Sequence, residues 1–276
     1  MTVLAGGRGR LALDDLELEF GTAAARGRDR PRLLAHAGRW GRARRWLPAE
    51  ARRVLDVGCA FGYGTAALTG RGASRRLVIG IETDERHLAD ARKRFPWLPL
   101  VRADAAALPI PDGAVDAVVM LDVLEHLVDP AAALREAHRV LRPGGVIIVS
   151  VPHRGVLTAL DSNNVYAALQ RRRPSWPPLE AAEESATGVH VHYSATQLRA
   201  LLGADLTVDR VARTGLGLTE LFHLAIMIAF KARLRRPGIY RRLLALHLLV
   251  YLADDLIPAG PLSNYIAVRA TLRDDG

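Results

Sequence analysis

Cysteine is almost missing: Cys59 is the single one in 276 residues. No intramolecular disulfide can form, and a reducing compartment is expected. Lysine is nearly as scarce. Lys93 and Lys231 are the only two, so arginine supplies almost all of the 38 basic residues behind the formal net charge of +9. A basic surface attracts phosphates at long range, but the two basic clusters, Arg26 to Arg53 and Lys231 to Arg242, carry no recognised RNA-binding motif. Abundant alanine, glycine and leucine read as the bias of a GC-rich genome, and no nucleic-acid partner is expected. An apolar run of about 20 residues, the length that spans a bilayer, is also lacking. The most apolar stretches, Leu221 to Phe230 and Leu243 to Leu252, are interrupted by His223 and His247. No charged leader with an apolar core and cleavage site opens the sequence, so a cytoplasmic protein is expected.

Half of the residues are hydrophobic, enough for one large core with a smaller lobe. The sequence is organised around Val54 to Thr65, VLDVGCAFGYGT. Val54, Leu55 and Val57 read as a buried strand that stops at Gly58, Gly62 and Gly64 and restarts as a helix near Thr65. Such a turn lets backbone approach a ligand closely, because glycine has no Cβ and tolerates positive φ. Taken alone, it is compatible with a dinucleotide-binding turn.

Strands and helices then alternate, as in a parallel sheet covered on both faces. Leu77 to Ile81 is a strand ending in Glu82, and Asp84 caps the next helix. Leu98 to Arg102 is a shorter strand, followed by Asp104 and Ala105. Val115 to Leu121 reads as a central strand. A helix ends at Arg135 to Leu141, stopped by Pro143, Gly144 and Gly145, before a strand over Val146 to Val151. Further strands are expected near Leu206 to Ala212 and Tyr265 to Leu272, with a capped helix at Ser194 to Leu202. Ahead of the glycine turn, Leu33 to Leu47 has helical spacing.

The register D-x-G-x-A-x-G at Asp56 to Gly62 resembles motif I of the class I S-adenosylmethionine-dependent methyltransferases, with Ala60 where that family has its middle glycine. LDVLEH at Leu121 to His126 and RVLRPGG at Arg139 to Gly145 extend the likeness across Arg53 to Pro152. The resemblance implies a Rossmann-like α/β fold with a seven-stranded, mostly parallel sheet and S-adenosylmethionine as cofactor. It implies cofactor contacts from Asp56, Gly58, Cys59, Gly62, Ala105 and Leu121, with Asp104 accepting from the adenine amine. Glu82, an acid at a strand end, is placed to take both hydroxyls of a ribose.

Ligands of an open parallel sheet lie at the carboxyl ends of its strands. Asp122, Glu125 and His126 follow the fourth strand, so they should line the acceptor side. Methyl transfer to a hydroxyl is an in-line displacement that needs a proton acceptor. His126 is the candidate base, with Glu125 or Asp122 to orient it; bracing the loop after the strand is the alternative. His190 and His192 alternate in VHVHY and, with Tyr193, are expected to border the acceptor pocket. A metal is not expected.

The expected organisation is an N-terminal arm at 1–30 and a methyltransferase domain at 31–276. The domain carries a flap at about 153–193 and an apolar helical insert at about 216–262. Burial is the default for that insert; a homodimer contact, peripheral membrane contact or a pocket wall are its alternatives. The expected activity is methyl transfer to a small molecule, foremost to an oxygen of a secondary metabolite, sugar or lipid-linked intermediate. An RNA-modifying methyltransferase and a non-catalytic S-adenosylmethionine-binding protein are the rival readings.

Overall fold

The computed structural model describes residues 13, 38–70, 76–156, 158–177 and 191–274. Seven strands form one sheet: β1 (Arg53–Val57), β2 (Leu77–Glu82), β3 (Leu100–Arg102), β4 (Val115–Leu121), β5 (Leu141–Pro152), β6 (Leu206–Thr214) and β7 (Tyr265–Leu272). Their order is β3-β2-β1-β4-β5-β7-β6. Every pairing is parallel except those of β7 with β5 and β6. From β1 the chain winds outward through β2 and β3, then returns to lay β4 on the other side. That reversal opens a crevice at the carboxyl ends of β1 and β4.

Side chains alternate across the sheet, as a period of two requires. Leu55, Val57, Ile79, Ile81, Val118, Met120, Ile147 and Val149 face one core, which α4 (Pro130–Val140) and α6 (Ala195–Leu202) cover. Val54, Val78, Ala117, Val119, Val146 and Ile148 face the other, beneath α1 (Gly38–Trp46) and α2 (Tyr63–Leu68). Leu13, the one described residue of the expected arm, is buried in the first core.

Several expected boundaries shift. The helix expected from Leu33 is described from Gly38, its earlier residues lying outside the described ones. Helix α4 ends at Val140, and β5 begins at Leu141 rather than Val146. Proline disfavours the helical region for the residue before it, so Arg142 leaves the helix early. Leu141 pairs with Val115, and the register shifts before Ala117 meets Val146. Pro143, Gly144 and Gly145 therefore form an irregularity inside a strand instead of the linker before one. The caps fall where expected: Asp84 accepts from the Arg86 amide at the start of α3 (Glu85–Arg94), and Ser194 and Gln197 form a capping box on α6.

Beyond β5 lies α5 (Ser162–Arg172). Between β6 and β7, α7 (Leu218–Ile226) runs into a π-helical segment, Met227–Arg233, before α8 (Pro237–Asp254). Tyr166, Ile226, Met227, Ala232 and Tyr240 form a separate small core among these helices. No helix among the described residues is long and apolar enough to cross a membrane.

Candidate active site

The glycine turn after β1 takes a left-handed backbone at alternate positions: Gly58 at φ 75°, Ala60 at φ 44° and Gly62 at φ 76°. Gly58 is required twice over, because a Cβ there would stand 2.4 Å from the Val123 side chain. Ala60 shows why small residues occupy the turn's middle, since an L-residue takes this conformation only against strain. Its amide donates to Glu82 Oε2 at 3.0 Å, so the acid ending β2 braces the turn. Glu82 Oε1 accepts from the amides of Thr83 and Asp84. With one bond on Oε2, that oxygen retains acceptor capacity.

A cavity of about 750 Å³ opens here, lined by Gly58, Ala60, Phe61, Glu82, Asp104, Ala105, Asp122, Val123 and His126 among others. Asp104 Oδ1 also accepts from the Ala106 amide at 2.9 Å, so the same side chain caps its own turn.

A second cavity, of about 700 Å³, lies on the far side of Phe61, Asp122 and His126, which line both. Its walls come from α1 (Arg39, Trp40), Asp161 and Ser162 at the start of α5, α7 (Thr219, Glu220, His223), α8 (Leu244, His247, Leu248, Tyr251) and Tyr265 of β7. The apolar insert is thus a pocket wall whose inner face is polar. Two aspartates tie it in place. Asp254 accepts from the Leu216 and Thr219 amides, and Asp255 from Thr214 Oγ1 at 2.7 Å and Arg42 at 2.8 Å.

The electrostatics of this second cavity are unusual. Asp122 adopts a left-handed backbone at φ 55°, is ion-paired with Arg39 and accepts from Ser150 Oγ at 2.9 Å. Glu125 is only 2% exposed, and its Oε2 has no hydrogen-bond partner among the described residues. Burial pushes its carboxyl up to about 8 despite the nearby Arg39. Burial likewise raises Glu220, which accepts from Ser162 Oγ and Tyr265 Oη. His247 falls to about 4, through burial first, then His223 and Arg39.

The sequence-derived candidates divide by where the structure places them. Gly58, Glu82, Asp104 and Ala105 line the first cavity, His192 and Glu125 the second, and Asp122 and His126 both. Asp56, Cys59, Gly62 and Leu121 are absent from either wall. Asp56 is buried, accepts from Thr65 Oγ1 at 2.7 Å and so clasps α2 to β1; burial raises its carboxyl to about 7. The Cys59 thiol packs toward Gly80, where an added Cβ would meet it at 2.8 Å, and Gly62 is small because Ala91 and Phe95 press on it. Leu121 packs against the core beneath α1. Tyr193 belongs to the main core rather than to the pocket, and its hydroxyl donates to the Leu124 carbonyl at 3.2 Å. Its neighbour His192 faces the opposite way, with Nε2 3.4 Å from Asp161. His190 lies outside the described residues.

Sequence reasoning missed Arg39, Asp161, Glu220, Tyr251 and Tyr265. Only His223 and His247 left a signal, as lone polar residues in apolar helices.

A methyltransferase-domain family model matches residues 55–149. A probable S-adenosylmethionine-dependent methyltransferase of Mycolicibacterium smegmatis is 46% identical over 103 residues, 37% of this chain and 39% of that relative. The ubiquinone biosynthesis O-methyltransferase of Pseudomonas aeruginosa is 37% identical over 119 residues, 40% of this chain and 50% of that one. The chain therefore spans half or less of these relatives' length. The solved structure of an S-adenosylmethionine-dependent methyltransferase from Thermotoga maritima superposes with a TM-score of 0.55 at 19% identity, covering 95% of this chain and 96% of the other. That likeness is one of fold. The family match ends at Val149, ahead of α5, α7 and α8, which supply much of the second cavity's wall.

Proposed function

We propose that this chain, which belongs to the class I S-adenosylmethionine-dependent methyltransferase family, binds S-adenosylmethionine in the first cavity and methylates a small molecule held in the second. The observation that carries this reading is the shared wall: Phe61, Asp122 and His126 border both spaces, so a reacting pair would meet there. The residues present suit the cofactor. Gly58 leaves its cradle open to backbone approach, Glu82 offers acceptor capacity to a ribose diol, and about 750 Å³ is a volume proper to a ligand of this size.

When bound, S-adenosylmethionine supplies an electrophilic methyl carbon on a sulfonium. The protein's part is to align the acceptor in line with that carbon and to take up a proton where the acceptor atom is a hydroxyl oxygen. His126 stands at the junction and is the residue we assign to that uptake. The second cavity supports a small molecule over RNA, because its acidic lining holds a single arginine and no lysine to attract phosphate. Within this reading the chain works in the cytoplasm, where the buried Cys59 stays reduced.

Calorimetry tests the cofactor. S-adenosylhomocysteine is expected to bind, and Glu82→Ala to weaken it at least tenfold. Binding of NAD with no response to S-adenosylhomocysteine would overturn the proposal. With an acceptor in hand, His126→Gln is expected to lower kcat by about 100-fold, the lower end of general-base effects, and to remove a limb of the pH–rate profile.

A further inference from the structure

The second cavity is rich in acidic side chains and poor in basic ones. Asp122, Glu125, Asp161 and Glu220 line it, while Arg39 is the one arginine or lysine among its described lining residues. Arg39 is ion-paired with Asp122 and attracts Glu125 electrostatically, but makes no hydrogen bond to the Glu125 carboxyl. Glu125 is left with a buried carboxyl oxygen that has no hydrogen-bond partner among the described residues. Such a group costs free energy until something donates to it or neutralises it.

The same cavity offers aromatic faces suited to a cation. The Arg39 guanidinium carbon already lies 4.9 Å from the Tyr251 ring centroid, 5.3 Å from Trp40 and 5.8 Å from Tyr265. Ring quadrupoles attract cations at these separations. The fold thus demonstrates, with its own side chain, that this wall accommodates a desolvated positive charge beside carboxylates.

We propose that the acceptor carries a protonated amine, which docks on Glu125 within this aromatic and acidic chamber. The inference rests on the methyltransferase reading and names the substrate class for it. The amine is an anchor. While protonated it has no lone pair to attack a methyl carbon, so the atom that is methylated lies elsewhere on the acceptor, toward His126. Binding draws a proton from Glu125, whose raised pKa comes from burial. Arg39 on α1, Asp161 before α5 and Tyr193 before α6 are the charged or titratable groups that interact with it, alongside Asp122 and His126 of its own segment.

The test uses two probes of one shape, tyramine and 4-(2-hydroxyethyl)phenol, titrated into the full chain saturated with S-adenosylhomocysteine. Tyramine is expected to bind at least tenfold more tightly and to release a proton to buffer at pH 7. Its affinity should rise about tenfold between pH 6.5 and 8.5, a range over which the amine stays charged. Glu125→Gln should abolish the preference and the pH dependence while leaving S-adenosylhomocysteine affinity unchanged. Equal affinities, binding of the alcohol alone, binding of neither probe, or a preference that survives in Glu125→Gln would each overturn the inference. Failure of S-adenosylhomocysteine to bind strikes the methyltransferase reading itself, so the two failures are told apart.

Discussion

Individual residues in the glycine turn show which positions are bound by geometry and which are not. Gly58 has both a left-handed backbone and Val123 against its missing Cβ. Ala60 has only the backbone problem. Left-handed strain in an L-residue costs roughly 1–2 kcal/mol, against roughly 0.5–1 kcal/mol of added chain entropy for a glycine in the unfolded state. Ala60→Gly is therefore expected to stabilise the protein by about 0.5–1 kcal/mol, measurable by urea unfolding. A loss of stability would show that the methyl group makes packing contacts that outweigh its backbone strain. The same reasoning separates the two acids flanking the turn. Glu82 faces a cavity and braces Ala60, whereas Asp56 is buried and clasps Thr65.

At the scale of elements, the pair α7 and α8 decides what the second cavity is. Their outer surface is studded with exposed Leu218, Leu221, Leu246 and Leu249, while their inner surface presents Glu220, His223, His247 and Tyr251. The pair is anchored by Asp254, whose carboxylate takes the Leu216 and Thr219 amides near the start of α7. Replacing it by alanine strips the acceptor from those amides and from Thr219 Oγ1, and each donor left buried without a partner costs about 1–3 kcal/mol. Asp254→Ala is expected to lower the melting temperature and impair acceptor binding, yet to leave S-adenosylhomocysteine affinity intact. Calorimetry on the variant checks this, and a parallel loss of cofactor affinity would show that the two cavities are mechanically one.

For the whole molecule, the buried carboxyls predict how stability varies with pH. Glu125 and Asp56 titrate in the folded chain near 8 and 7, both raised by burial above 4.5 and 3.8. A raised carboxyl pKa means that the folded state holds a proton that the unfolded chain has released. Stability then falls as pH rises between the unfolded and the folded values. A decline is expected from about pH 5 to pH 8, and Glu125 alone contributes roughly 3 kcal/mol of it. Denaturant titrations at pH 5 and pH 8.5 test the sign. Glu125→Gln should match the parent at the lower pH and exceed it at the higher. A parent that grows more stable over that interval would refute the assignment.

Much of the sheet half was written in local sequence. Buried strands, the glycine turn, the Asp84 and Ser194 caps and the acid ending β2 are set by hydrophobic period, backbone permissiveness and short-range hydrogen bonding, all of which act within a few residues. That is why Gly58, Glu82, Asp104, Asp122 and His126 were legible as a set. The boundary at Leu141 was not, because proline restrains the residue before it while the sheet recruits that residue into a strand. Nor was the placing of Tyr193 in the core and His192 in the pocket, which depends on which face of the segment meets the sheet. The second cavity was least legible of all. Arg39, Asp161, Glu220 and Tyr265 are far apart in the chain, and each is an ordinary surface-type residue until packing closes water out around it. Sequence by itself determined the strand-end turn and the chemistry offered to a cofactor. Only the tertiary structure decided what lines the second cavity, since its burial arises from helices that meet solely in the folded molecule.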